Sequence, residues 1–569
     1  MALITDQDRF FSGGHDSSTP ANLLEEGTIA RLLNGRFAEG AITNALGWDE
    51  LPLEFVGGNN IRVPNSPNSY GDLLKQGDIE LFAPVRNING SYLTFVLSGR
   101  LLQMDLETML VRDITPIDSF LSDQSLSQYP LSYIDNSGGV FGVGGYLVIF
   151  NYPNRPIFVG PNGARVSRAS LYETPVSRMG VTVANRAFVI SGDNLLYASD
   201  PLGGSSPNAP LTFVETLSPA GAYYGQIFAL GSVLDLAQVT CLSRIPRLMG
   251  PSQEFLAQSV LAFTTNQKFI IAGGEQRALW DTTQFISYAG SSEGAAGPLC
   301  STNIGSTVAF IADTGRIKLL SQDLDKESAL AETYFDAALG QYMNYNETEF
   351  YYRPWYEKLD FSRSVIRFNQ DRLFATVAPF FANAINNAGK PTYSYSHSAL
   401  AVASLDEATR IGAQATVSWE GFYDWFNPAS ILTLGRETYV WAKSPAGKNA
   451  VYVLNRSKID DHSTVIYTRG YFAGINSGAK SLSAVTLYFR RINGPIQVEI
   501  SYLVNGRWVV GGTCNISSKS ARIPMTTALM SDDWSISLRL TIHHRGCPFE
   551  LKSIRVTGEG FVQEKLGAR

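Results

Sequence analysis

The hydrophobic pattern is dominated by one recurring unit. A short apolar run with a central aromatic is followed by a polar turn and then by a second apolar run. The unit is plain at residues 91–108, 146–163, 186–202, 260–274 and 307–323, and weaker at 371–381 and 437–456. Aligning the units superposes Phe95, Phe150, Phe188, Phe263, Phe310, Phe374 and Trp441. Period-two or continuous apolar runs around Gly, Asn, Asp or Pro are hairpin signals. A lone hairpin cannot bury its own face, so repeated hairpins imply neighbours stacked side by side. The pattern predicts an all-β fold: an irregular β-propeller of about 6–7 blades with insertions.

Four regions break the pattern. Residues 219–256 and 324–356 read as insertions, the second opening on a helical pattern over 324–343 with an acidic first turn. That helix would lead into an aromatic cluster, Tyr345, Phe350, Tyr351, Tyr352, Trp355 and Tyr356. Tyr and Trp are enriched at protein interfaces, which makes the cluster the candidate subunit contact; core packing between blades is the competing reading. Residues 1–70 form a separate extended and helical arm, entering a propeller over 71–469. From residue 470 the alternation becomes regular and carries two Asn-Gly turns, Asn493-Gly494 and Asn505-Gly506. The expectation there is a C-terminal antiparallel β-sandwich over 470–569.

Charge sharpens this division. The chain of 569 residues holds 45 basic and 51 acidic side chains, net −6. Twelve of the basic and six of the acidic ones fall in residues 470–569, so that segment is +6 and the rest, with 33 and 45, is −12. Charged residues make up only 17% against 44% hydrophobic ones, with 51 Gly and 26 Tyr. Such a mix suits many short strands and turns, and no basic excess advertises nucleic-acid binding by the whole chain. Four scattered cysteines without C-x-x-C spacing exclude a disulfide framework and the usual zinc patterns. No stretch has the length of a membrane span, and the opening residues lack a signal-peptide pattern, so the expectation is a soluble protein made in a reducing cytoplasm.

The search for chemistry excludes more than it finds. Gly290-Ser291-Ser292-Glu293-Gly294 matches G-x-S-x-G, but its surroundings are strand and loop rather than strand and helix. The glycines from Gly138 to Gly145 lead into a strand, which leaves no helix N-terminus for a phosphate. Gly389-Lys390 and Gly447-Lys448 lack the rest of a P-loop. Asp460-Asp461-His462 and His543-His544 are the clusters with metal-ligand residue types. Adjacent strand residues point to opposite faces, and solvated turn or edge positions are the expectation for both. No carboxylate pair argues for glycoside hydrolysis. The expectation is a protein that builds or binds, with no catalytic residue, cofactor or metal.

Four passages, residues 22–48, 186–203, 259–274 and 297–323, resemble in their order the propeller-bearing tail proteins of short-tailed bacteriophages, called tail nozzle, tail tubular or phage stabilisation (hub) proteins. The resemblance implies a structural virion protein of the phage tail, made in the host cytoplasm. It implies a homo-oligomeric ring, a hexamer, below the portal and its adaptor. Such a ring continues the DNA-ejection channel and helps to retain the packaged genome. Its neighbours would be adaptor or portal-proximal tail proteins and tail fibres or tailspikes, with DNA passing through the lumen without specific binding. A receptor- or glycan-binding propeller of a tail or cell surface is the alternative.

Overall fold

The computed structural model describes residues 2–11, 14–15, 23–87, 89–117, 129–136, 146–192, 194–202, 211–214, 226–229, 238–245, 259–272, 286–288, 293–305, 307–320, 327–329, 360–405, 417–471, 480–504, 507–525 and 536–560. Within them the chain is nearly all β, with one α-helix, Tyr70–Gln76, started by a reciprocal capping box between Ser69 and Asp72. No helix among the described residues is long and apolar enough to cross a membrane.

Seven antiparallel sheets follow one another along the chain. Their first strands are Ile79–Asn87, Ser132–Asn136, Met179–Val183, Cys241–Arg244, Ser301–Ile304, Ile366–Asn369 and Asn427–Leu434. Each first strand packs against the first strands before and after it, and the seventh packs against the first. That closed circle makes the fold a seven-bladed β-propeller, with the first strands around the axis. The last blade is completed from the other end of the chain. Leu46–Leu51 pairs with Asn449–Ile459, so strands from both ends of the propeller close the ring.

The seven aligned aromatics all lie on the second strand of their blade, and all are essentially inaccessible. The period-two alternation explains how each blade bonds to two neighbours. On Gly90–Leu97, Leu93, Phe95 and Leu97 face blade 7, where Trp441 lies 4.3 Å from Phe95 and 5.6 Å from Phe82. Val96 on the same strand faces the other way, into the core shared with blade 2. Apolar cores of this kind lie between successive blades around the ring.

Two expected insertions contain blade strands instead. Gln226–Ala229 ends blade 3 and Cys241–Arg244 begins blade 4, both inside 219–256. Glu327–Ala329 is the fourth strand of blade 5, where the pattern predicted helix; pairing with Ile317–Leu320 overrides the local periodicity. The rest of 330–356, with the aromatic cluster Tyr345, Phe350, Tyr351, Tyr352, Trp355 and Tyr356, lies outside the described residues.

Beyond the propeller, two sheets enclose the core formed by Ile29, Leu32, Ile42, Leu487, Ile500, Leu540 and their neighbours. The first sheet runs Ser520–Pro524, Lys480–Ile492, Phe549–Gly560, Ala41–Asn44, Gly35–Ala38, with Ala2–Asp8 paired to Phe549–Gly560. The second runs Thr28–Leu33, Thr464–Thr468, Leu538–His543, Ile496–Val504, Arg507–Ile516. Residues 1–70 therefore do not stand apart: they supply strands to both sheets, to blade 7 and, at Glu54–Phe55, to blade 1. Thr28–Leu33 also meets Val417–Tyr423 of blade 6 through Leu33 and Phe422, so the blade 6 sheet runs on into the sandwich. Val504 pairs with Arg507, and the expected turn between them, Asn505-Gly506, lies outside the described residues. Asn493-Gly494 does not close a hairpin; it carries the chain from one sheet to the other.

Candidate functional site at the propeller axis

Residues just before the first strands of blades 2 to 6, with residues of the first strands of blades 1 and 7, converge at one mouth of the ring. They line a narrow cleft with two adjoining lobes. Ile79, Glu80, Pro298, Arg363 and Ala429 line the first lobe, and Tyr129, Arg178, Gln238 and Thr240 the second. Pro130, Pro298 and Ser362 belong to both. Largely apolar clefts with a few placed polar groups are the usual ligand sites of globular proteins.

Two arginine–tyrosine pairs line the cleft, Arg178 with Tyr129 in one lobe and Arg363 with Tyr395 in the other. Arg178 is buried, with its guanidinium 5.0 Å from the Tyr129 ring. Its Nε donates to the Ser191 carbonyl at 3.1 Å, and Nη2 donates to Asn194 Oδ1. Gln238 Nε2 donates to the Tyr129 hydroxyl at 3.2 Å. In the other lobe, Arg363 sits 5.8 Å from the Tyr395 ring. The Tyr395 hydroxyl donates to the Asp360 carbonyl, and burial holds the phenol well above its usual pKa, so it remains a donor.

Behind Tyr395 lies His397, ring centroids 5.0 Å apart and nearly perpendicular. His397 Nδ1 lies 2.9 Å from the Pro428 carbonyl oxygen, and Nε2 lies 3.1 and 3.2 Å from the Ser364 and Thr376 hydroxyls. A carbonyl only accepts, so Nδ1 carries the hydrogen and Nε2 receives one. Burial pushes the pKa down to about 3, so the ring is a neutral strut.

One wall is a long hairpin of blade 6, Arg372–Ile385 and Pro391–Leu405. It extends past blade 7 to blade 1, where the Ser394 hydroxyl accepts from the Ile79 amide at 3.1 Å. Its tip is held by Asn68 Nδ2 donating to the Asn386 carbonyl at 2.8 Å. Among the described residues lining the cleft, Glu80 is the one carboxylate, whereas acid–base glycoside hydrolysis needs two. The arrangement suits holding a ligand or a neighbouring chain.

The other sequence candidates are distributed elsewhere. Gly389 and Gly447 occupy hairpin turns with φ of +72° and +73°, which explains their glycines without a phosphate. Ser292 and residues 138–145 lie outside the described residues, while Glu293 pairs with Lys318 at 2.9 Å. The histidine clusters come together from opposite ends of an 80-residue stretch: Ser463 Oγ is 2.7 Å from His543 Nδ1, and Thr464 Oγ1 is 3.3 Å from His544 Nε2.

Asp461 is a solvated residue, as expected from sequence, and His462 and His543 are half-buried, but Asp460 and His544 are buried. Strand pairing with Leu538–His543 draws the turn inward. The donor atoms of Asp460, Asp461 and His462 lie within 4.8 Å of one another, a spacing a cation would accept. Yet Nδ1 of His462 is 2.6 Å from Asp460 Oδ1, and its ring stacks on Trp425 at 4.1 Å. Burial opposes charging the ring, but the Asp460 hydrogen bond and the Asp460, Asp461 and Asp424 charges outweigh it and raise the pKa. The arrangement favours the ion-paired ring, which competes with a metal because a metal takes the neutral imidazole.

No protein-family model matches the chain, and no curated protein sequence does. Its fold is similar to YCF48 from Cyanidioschyzon merolae, at 9% identity and a TM-score of 0.33, over 72% of this chain and 99% of that one. BamB from Moraxella catarrhalis is similar at 10% identity and a TM-score of 0.29, over 65% and 93%. The computationally designed Ika8 protein is similar at 12% identity and a TM-score of 0.32, over 67% and 97%. The class, an all-β propeller carrying a sandwich, rests on the closed circle of seven sheets.

Proposed function

We propose that this chain is a structural protein of a bacteriophage tail. Copies of it would form a ring that continues the DNA-ejection channel below the portal and adaptor. The observation that carries the reading is where the resembling passages fall. Residues 186–203, 259–274 and 297–323 supply strands to blades 3, 4 and 5 in turn, and residues 22–48 supply strands that join propeller to sandwich. The order of motifs is thus an order of structural units. A sandwich continuous with one blade through a shared sheet is also suited to bearing load between neighbours. Closed rings of this kind use one patch of each copy against a different patch of the next.

Quantitative mass spectrometry of purified particles tests the proposal. Half as many copies as of a dodecameric portal supports a sixfold ring; absence of the chain from particles refutes it. A second reading, a receptor- or glycan-binding propeller, draws on the axial cleft with its two arginine–tyrosine pairs. Saturable binding on a glycan array that is lost in Arg363→Leu, with melting unchanged, supports it. A blank array refutes it.

A further inference from the structure

The second sheet of the sandwich carries a row of directly opposed residues on its outer face. Val510, Ser501, Arg539, Tyr467 and Arg31 follow one another across five strands. The residues alternating with them, among them Leu32, Ile466, Leu540 and Ile500, point into the sandwich core. The row alternates cation and ring: Arg31 lies 5.7 Å from the Tyr467 ring, and Arg539 lies 5.6 Å from the ring of Trp508. Tyr467 and Trp508 meet edge-on at 5.5 Å.

At its Arg31 end the face is covered by the propeller, since Leu33, Val465 and Tyr467 pack into the core of blades 4 to 6. At the other end it opens to solvent. Leu503 is 40% exposed and Val510 52%, beside the half-buried Trp508 opposite Leu503. Arg507–Ile516 is the last strand of the sheet, and its Val509 is 42% exposed on the opposite face. A final strand with exposed branched apolar residues is a site for pairing with another chain. Tyr, Trp and Arg beside exposed aliphatics are the composition of interface hot spots.

We propose that this surface, centred on Trp508, Leu503 and Val510, docks onto the propeller of a second copy of the chain. Charge selects the occupant. The surface lies in residues 470–569, net +6, whereas the propeller span 71–469 holds 29 basic and 36 acidic side chains, net −7. Glu499 is the acid on this face, and Ser501 donates to it at 3.4 Å. Sandwich against neighbouring propeller joins two different patches, the arrangement that closes a ring. The inference rests on the ring reading and adds the surface that builds it.

Sedimentation velocity and native mass spectrometry of the full chain, at low and high salt, test the docking. Wild type is expected to assemble beyond the monomer, more weakly as salt rises. A Leu503→Asp/Val510→Asp variant is expected to lose assembly strength on the order of 30-fold or more, with its melting unchanged. Trp508→Ala reports the same loss without a new charge. Tyr393→Asp, on the blade 6 hairpin, is expected to assemble as wild type does. Equal assembly of wild type and the sandwich variants overturns the proposal, as does a wild type that stays monomeric throughout. Binding of duplex DNA by the same residues instead of self-association overturns it too. Copy number in particles reports on the ring separately, so a ring built through another surface is distinguishable from no ring.

Discussion

Trp441 is the largest fully buried side chain among the described residues, at the joint where blade 7 meets blade 1. Truncating it to alanine tests whether that joint holds the propeller together. A buried indole removes roughly 200 Å² from water, which at about 25 cal/mol per Å² is about 5 kcal/mol. That figure is an upper bound, because the unfolded chain already hides part of its apolar surface. Phe82 and Phe95, held by their own strands, relax only partly into the space, so Trp441→Ala is expected to cost about 3–5 kcal/mol.

Trp441→Phe separates packing from polarity. The indole N–H has no hydrogen-bond partner among the described residues, so phenylalanine leaves a smaller void and removes an unsatisfied donor. Its expected cost is about 1–2 kcal/mol. Urea titration followed by far-ultraviolet circular dichroism measures both in the first unfolding transition. An alanine variant within about 0.5 kcal/mol of wild type, the range of ordinary surface substitutions, refutes the role of the joint. A phenylalanine variant as costly as alanine refutes the packing account, because the loss would then follow the polar atom.

Three further outcomes are expected. Arg469 bonds Asp8 at 2.7 Å and Asp6 at 2.8 Å in a buried cluster completed by the Tyr471 hydroxyl; Arg469→Met strands a buried carboxylate and should cost about 3–5 kcal/mol in denaturant titration. His397 has a folded pKa of about 3 against 6.5 unfolded, so the unfolded state takes up the proton first and stability falls as pH drops below 6.5; His397→Gln should flatten the melting-temperature profile between pH 6.5 and 4, and an unchanged slope would refute the buried neutral ring. A chain ending at residue 469 loses most of both sandwich sheets and bares Ile29, Leu32, Ile42 and Ile466, so it should aggregate; a soluble, cooperatively melting product would show that the propeller stands without the sandwich.

The blades were legible because each repeats one demand, an aromatic on the second strand that fills the gap to a neighbouring blade. Even the weak units at Phe374 and Trp441 follow it. What escaped was anything decided by distant pairing. Leu46–Leu51 carries no mark saying that its partner lies 400 residues away, and Glu327–Ala329 reads as helix until Ile317–Leu320 is beside it. The axial cleft was hidden for the same reason: Tyr129, Arg178, Gln238 and Arg363 are spread over more than 200 residues. Their common phase, just ahead of each first strand, was the available signal. The histidine clusters were visible as residue types but were expected in solvent, because adjacent polar residues usually mark a turn and only tertiary pairing buries them.

The closure of blade 7 also sets a timetable for synthesis. Leu46–Leu51 leaves the ribosome before any blade exists, and its partner Asn449–Ile459 emerges about 400 residues later. At about 5–20 residues per second, the early strand waits on the order of 20–80 s with its backbone unpaired. Ala2–Asp8 waits longer, for Phe549–Gly560 at the far end of the chain. Six blades can form in order while the circle stays open, so the nascent protein is an arc with two sticky ends. Crowded translation of one message would favour strand exchange between neighbouring arcs over closure, and slowing initiation rather than elongation would protect the yield of closed rings.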